Sequence, residues 1–194
     1  MTRLAHLVVS GVIGAGCVTS LLLFHRLTVY PFAVATLLPI TAAVIYAVMR
    51  VVGTRSAAPR AQEPITLIAL HVVTFIICLH VLVICTLAGV GWARALGPRA
   101  PVVLLGVAIA AAGNLLPLLR RNLAVGIRSA RSLNDARLWS HLHRRAGYGA
   151  VALGVVICTA GLFLPGHSIG PAIGVATMVL GAPTAMSYWR HTHD

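Results

Sequence analysis

Long apolar blocks broken by short polar segments set the pattern of this chain. The apolar residues do not follow the alternation of a half-buried helix or strand. They run together over about the 20 residues that a helix needs to cross a bilayer. The pattern predicts an all-α, polytopic integral membrane protein with six transmembrane helices, at about residues 4–24, 29–52, 65–91, 101–119, 148–164 and 169–189. The connections are too short to hold a soluble domain, so 1–194 reads as a single membrane domain.

Local signals refine these spans. The first block competes with a signal peptide, because Gly14-Ala15-Gly16-Cys17 loosely resembles a lipoprotein cleavage box. It continues to Phe24, however, and lacks a large aliphatic three residues before the cysteine, so an uncleaved first helix is expected. His25 to Thr28 makes a short turn. Pro31 falls in the first turn of the second helix, where a missing N–H costs little, and Pro39 lies inside that helix and should kink it. A loop over Gly53–Pro64 and a turn holding Trp92, Arg94, Gly97, Pro98 and Arg99 flank the third helix. Gly170 and Gly174 are spaced for close helix approach in the sixth, which Tyr188 and Trp189 would anchor at an interface.

Composition strengthens the membrane reading. The chain is 59% hydrophobic and 9% charged, against about 25% charged in a soluble domain. Its net charge of +12 comes from fifteen arginines and three acids, Glu63, Asp135 and Asp194. The arginines sit between spans, where topology and contact with anionic head groups account for them and nucleic acid does not. With the N-terminus inside, twelve arginines face the cytoplasm and three face out. That asymmetry predicts cytoplasmic termini.

Other candidate chemistry is sparse. Cys17, Cys78, Cys85 and Cys158 all lie within spans and read as small packing residues, with Cys78 and Cys85 on one helix face. His71 and His80 lie on one helix, nine residues and half a turn apart, and read as hydrogen-bonded packing histidines. No other mid-membrane histidine is placed to complete a bis-His haem, and neither a cofactor nor a metal is expected. His191 and His193 read as part of a frayed tail. The spans hold no Asp or Glu, so a protease dyad, a carboxylate proton relay and a di-acid metal site lack support.

Polar residues concentrate between Gly113 and Gly147, which holds Arg120, Arg121, Arg128, Arg131, Arg137, Arg144 and Arg145. Pro117 withholds an N–H from the carbonyl of Gly113, and Asn114 beside it needs a neighbouring helix or a wet cleft for its amide. Asn122 and Gly126 mark a shaped turn. Ser132 reads as a helix cap with Asp135 three residues on. The following segment, about Leu133 to Ala146, reads as a short cytoplasmic amphipathic helix between helices 4 and 5, with Asp135, Trp139 and His143 on one face. Two readings of the stretch compete. In one the arginines reach head groups and Trp139 anchors the interface. In the other Arg128, His143, Arg144 and Asn122 converge on an anionic or polar partner, which arginine can grip with two parallel hydrogen bonds.

Gly113-Asn114-x-x-Pro117, then Asn122, Gly126-Ile127-Arg128, Trp139, His143-Arg144 and Gly147 resemble the hallmark region of the SdpI family of small bacterial membrane proteins. Ser129 replaces a common Thr, Arg131 stands where an apolar or aromatic residue is common, and a Pro-x-x-Pro-x-His element found in many members is missing from the first external turn. The resemblance implies six spans, immunity to a secreted peptide toxin, and signalling by holding a transcriptional repressor at the membrane. It also implies partner-binding roles for Asn114, Pro117, Asn122, Gly126, Arg128, Trp139, His143 and Arg144. An enzyme or carrier acting on an anionic, phosphate-bearing lipid is the alternative, since such chemistry needs cation clamps and one acid or base.

Overall fold

The computed structural model describes the backbone of residues 2–56, 59–97, 99–122 and 125–193, and the side chains of 4–51, 63–97, 99–122, 125–180 and Trp189. The side chains of Arg3, Arg55, Arg60, Tyr188, Arg190, His191 and His193, together with Pro98 and Asp194, lie outside the described residues.

Helices account for the fold: α1 (Thr2–Leu23), α2 (Pro31–Ser56), α3 (Pro59–Leu87), α4 (Gly91–Leu96), α5 (Arg99–Leu115), α6 (Ala130–Asn134), α7 (Ala136–Phe163) and α8 (Gly166–His193). Five are long and apolar enough to cross a membrane: α1, α2, α3, α5 and α7. In α8 the apolar stretch among the described residues is shorter, Gly166–Leu180. Exposed large apolar side chains such as Leu7, Leu21, Phe32, Phe163 and Met178 coat the outside, as a lipid-facing surface requires. This is a multi-pass membrane protein.

Two helix groups make up the bundle. In the first, α1 and α2 both pack on α3 around buried Val9, Ala42, Val73 and Ile77. Pro39 lies inside α2, which continues through it. Proline has no N–H for the carbonyl four residues earlier, that of Ala35. Ser20 Oγ of α1 donates to that carbonyl at 2.9 Å and meets His80 Nε2 of α3 at 2.8 Å. One hydroxyl therefore joins all three helices at the carbonyl the proline leaves open.

The second group pairs α5 with α7 and lays α8 against α7. Here the backbones themselves touch. A Cβ placed on Gly106 would lie 2.7 Å from the carbonyl oxygen of Gly154, and one on Gly154 would lie 2.5 Å from that of Gly106. Gly113 and Gly147 repeat the arrangement one level along, with a Gly147 Cβ 2.7 Å from the Gly113 oxygen. His71 of α3 links the two groups through Nε2 and the carbonyl of Ala108 on α5, at 2.8 Å.

Several expectations change. The segment expected as a separate amphipathic helix is the first part of α7, which runs unbroken through Gly147. Ser129, not Ser132, caps α6, and Asp135 is itself the cap of α7, taking the N–H groups of Arg137 and Leu138. Each of these helices starts where a short oxygen-bearing side chain can reach back to open N–H groups. The expected 53–64 loop is mostly helical, since α2 extends to Ser56 and α3 starts at Pro59. Gly170 and Gly174 meet nothing within 4 Å, so the close approach foreseen for them belongs to other glycines. Cys85 is buried at the far end, in a cluster with Leu27, Ala35, Ile84 and Ala93, whereas Cys17 and Cys78 are exposed.

Candidate functional site

The residues between Pro117 and Gly147 fold into a clasp over the end of the bundle that holds the start of α7. After Pro117, α5 tightens into a 3-10 turn over Leu116–Leu118 and ends at buried Leu119. The indole N–H of Trp139 donates to the Leu119 carbonyl at 2.7 Å. Ile65 of α3 completes this buried cluster, with Met49 of α2 and Val125 packed against it. Trp139 is 1% exposed, so it is a core residue here and not an interfacial anchor.

The backbone then turns on Asn122. Its amide nitrogen donates to the Arg120 carbonyl at 2.7 Å, and its oxygen accepts the N–H of Val125 at 2.8 Å. Gly126 follows at φ 120°, a conformation that L side chains rarely adopt, and a Cβ there would overlap His143 Nε2. The glycine is needed twice over. Its absence of a side chain lets Ile127 N–H reach His143 Nε2 at 3.1 Å.

His143 is 0% exposed and stacks on Trp139 with ring centroids 4.1 Å apart. Its Nδ1 lies 2.8 Å from the Trp139 carbonyl, which can only accept, so Nδ1 carries the proton. Nε2 faces an N–H and must therefore offer its lone pair. Both ring nitrogens are committed to backbone in a neutral tautomer inferred from those partners.

Beyond Ile127 a second anchor takes hold. Ser129 and Ser132 exchange side-chain and backbone hydrogen bonds at 2.8 and 3.0 Å in a capping box. Ser132 Oγ also lies 3.3 Å from the Ile127 carbonyl. Arg121 Nη1 donates to the Asn134 carbonyl at 3.2 Å, at the end of α6. Arg128 thus sits between two fixed points, and its side chain is exposed.

The structure therefore divides the expected site. Asn122, Trp139 and His143 are buried and hold the clasp together; Gly126 supplies its turn, and the ring of Pro117 lies against Gly147. Arg128, Arg144 and Asn114 are exposed. Asn114, expected to bond a neighbouring helix or face a cleft, makes no side-chain hydrogen bond among the described residues. Sequence reasoning overlooked the glycine contacts of α5 with α7. Their signal was a spacing of seven, in Gly106 and Gly113 and again in Gly147, Gly154 and Gly161.

It also passed over an open groove of about 1240 Å³ beside α6 and the start of α7. Arg131, Arg137, Ser140, His141 and Arg144 line it, with Asp135 the acid among its lining residues. In the first turns of α7, Trp139, Leu142, His143 and Gly147 form the buried stripe, while Arg137, Ser140, His141 and Arg144 form the exposed one.

No curated protein and no solved structure matches the chain. Residues 119–193 match the model of the SdpI/YfhL protein family, a segment that takes in the clasp from Leu119 onward and the whole of α7. Gly113, Asn114 and Pro117 of the hallmark stand just ahead of it. The resemblance carried by the Asn122, Gly126-Ile127-Arg128 and Trp139–His143 spacing is thus supported, and residues 119–193 of this multi-pass membrane protein are similar to the SdpI/YfhL protein family.

Proposed function

We propose that this protein is an SdpI-type immunity and signalling protein of the bacterial cytoplasmic membrane, with its Arg-rich end in the cytoplasm. In this reading the clasp presents Arg128 to a partner: a cytoplasmic repressor, recruited when a secreted peptide toxin is present. The observation that carries it is the placement of Arg128, exposed between Ile127, pinned by His143, and Ser129, pinned by Ser132. A guanidinium on a fixed backbone loses less freedom on binding than one on a loose loop. The twelve-to-three arginine asymmetry supports the orientation.

The reading as a lipid-modifying enzyme gains less from the geometry. That chemistry needs an acid or base, and both ring nitrogens of His143, the histidine nearest Arg128 in the hallmark, are engaged by backbone inside the fold. A carrier or binding role for an anionic lipid depends instead on the exposed arginines.

Arg128→Ala is the test. The variant is expected to insert and fold, while losing protection against the peptide toxin and membrane recruitment of the repressor. Arg128→Lys should retain part of both, since it keeps the charge and loses the planar fork. Full protection and full recruitment by Arg128→Ala would remove the residue from the partner site.

A further inference from the structure

The groove beside α6 and α7 opens on the exposed face of the clasp, and its chemistry is that of an anion site. We infer that it binds the phosphate of an anionic membrane lipid, with Arg137 and Arg144 as its main ligands. This inference stands apart from the partner reading, which depends on Arg128.

Three observations lead to it. The first is register. Arg137 and Arg144 are seven residues apart on a continuous helix, which returns them to nearly the same azimuth about 10 Å apart. Ser140 and His141 fall between them on the same stripe. A phosphodiester offers oxygens on several sides, and two guanidinium forks match that geometry; the Ser140 hydroxyl between them donates to the Ala136 carbonyl at 3.0 Å.

The second is charge. Asp135 is the acid among the lining residues, and one of its carboxylate oxygens accepts the N–H groups of Arg137 and Leu138 at 2.7 and 3.3 Å. Its charge is thereby directed at the first turn of α7. Arg131 is a further cation among the lining residues. The groove remains cationic overall.

The third is level. The 28 residues of α7 span about 42 Å, against about 30 Å of hydrocarbon. Its apolar part runs from the glycines onward, so its first three turns, which carry Arg137 and Arg144, extend beyond that part toward the level of the head groups. Opposite the groove, the stripe of Trp139, Leu142 and His143 is sealed against the bundle. Among the described residues, the arginine face is the open one. A lipid at the rim of the same helix meets it without crossing water, which favours a lipid phosphate over a soluble one.

The full-length protein in dodecyl maltoside, assayed for retained lipid by native mass spectrometry, gives the test. Phosphatidylglycerol should bind in preference to phosphatidylcholine, at one copy per groove. Arg137→Gln with Arg144→Gln should weaken that binding by roughly tenfold or more. Arg26→Gln, at the opposite end of the bundle, should leave it unchanged. Emission of Trp139, read in a Trp92→Phe, Trp189→Phe background, verifies that each variant folds, and the single variant Arg144→Gln serves if the double one does not. Equal retention of phosphatidylglycerol by native protein and a folded groove variant would overturn the inference. So would displacement of the lipid by millimolar inorganic phosphate, which would make the ligand a soluble anion. A groove variant that loses lipid yet keeps toxin protection separates this site from the Arg128 reading, and loss of protection by Arg128→Ala with lipid retained separates them the other way.

Discussion

The two helix groups each contain a proline that leaves a carbonyl without its helical partner, and they deal with it differently. In the first, Pro39 opens the Ala35 carbonyl, and the hydroxyl of Ser20 from the next helix takes it. In the second, Pro117 withholds its N–H from Gly113, whose carbonyl oxygen faces the backbone of Gly147. A side-chain donor reaches across one gap, and direct backbone approach closes the other. Inside a membrane, where helices gain little from burying apolar surface against each other, both devices are available: polar links and small-residue packing. The first tolerates some separation of the helices. The second does not, and it is the second that carries the clasp.

The largest effect should come from spoiling that approach. Gly154→Leu places a side chain where even a Cβ would be 2.5 Å from the Gly106 oxygen and from the Ala110 nitrogen. Neither contact is a flexible side-chain end, so α5 and α7 must part. We expect a loss of about 3 kcal/mol, the upper end for overpacking a filled site. Unfolding in mixed dodecyl maltoside and dodecyl sulfate would measure it. Gly14→Leu in the first group, where nothing lies within 4 Å, should change stability by no more than about 0.5 kcal/mol. Similar losses at both positions would mean that the two groups are not built differently.

Gly126→Ala should cost less overall but strike the clasp itself. The positive φ and the overlap with His143 Nε2 together predict a loss of about 2 kcal/mol. Because His143 stacks on Trp139, displacing it should also shift the emission of that tryptophan, read with Trp92 and Trp189 replaced by phenylalanine. An unchanged midpoint with unchanged emission would show that the Ile127–His143 hydrogen bond does not hold the turn.

How much of this was legible in the sequence follows from what each signal depends on. Span length and apolarity are properties of single segments, so α1, α2, α3, α5 and the apolar part of α7 stood out. The loop residues were legible as a set, because Asn122, Gly126 and Arg128 keep a spacing from Trp139 and His143 that survives without coordinates. Their roles were not. Whether His143 offers its ring to a ligand or to the Ile127 N–H depends on where a loop sixteen residues away returns, and no local pattern reports that. The expected break fell at Gly147, between a helix ending about Ala146 and a span over 148–164. Here Gly147 is a helix interior residue kept small by the Gly113 carbonyl. Gly170 and Gly174 carried a recognised close-approach spacing, yet they face no helix. Small-residue spacing states that two helices can approach, and only a partner with matching small residues makes them do so.

The smallest effect gives the sharpest test of the comparison, because it asks whether Pro39 is the reason for the Ser20 link. Ser20→Ala removes a donor from the Ala35 carbonyl and the partner of His80 Nε2, and should cost about 1 to 2 kcal/mol. In a Pro39→Ala background residue 39 regains an N–H, and the Ala35 carbonyl can be served within α2. Ser20→Ala should then cost less, with a coupling between positions 20 and 39 of about 0.6 kcal/mol and at most about 1.7, the range of interhelical hydrogen bonds in membranes. A cycle of the four proteins in the same detergent mixture measures it directly. Strictly additive losses would mean that Ser20 is held by His80 and by the Gly16 carbonyl of its own helix, 3.1 Å away, and that the carbonyl opened by Pro39 plays no part in joining α1 to α2.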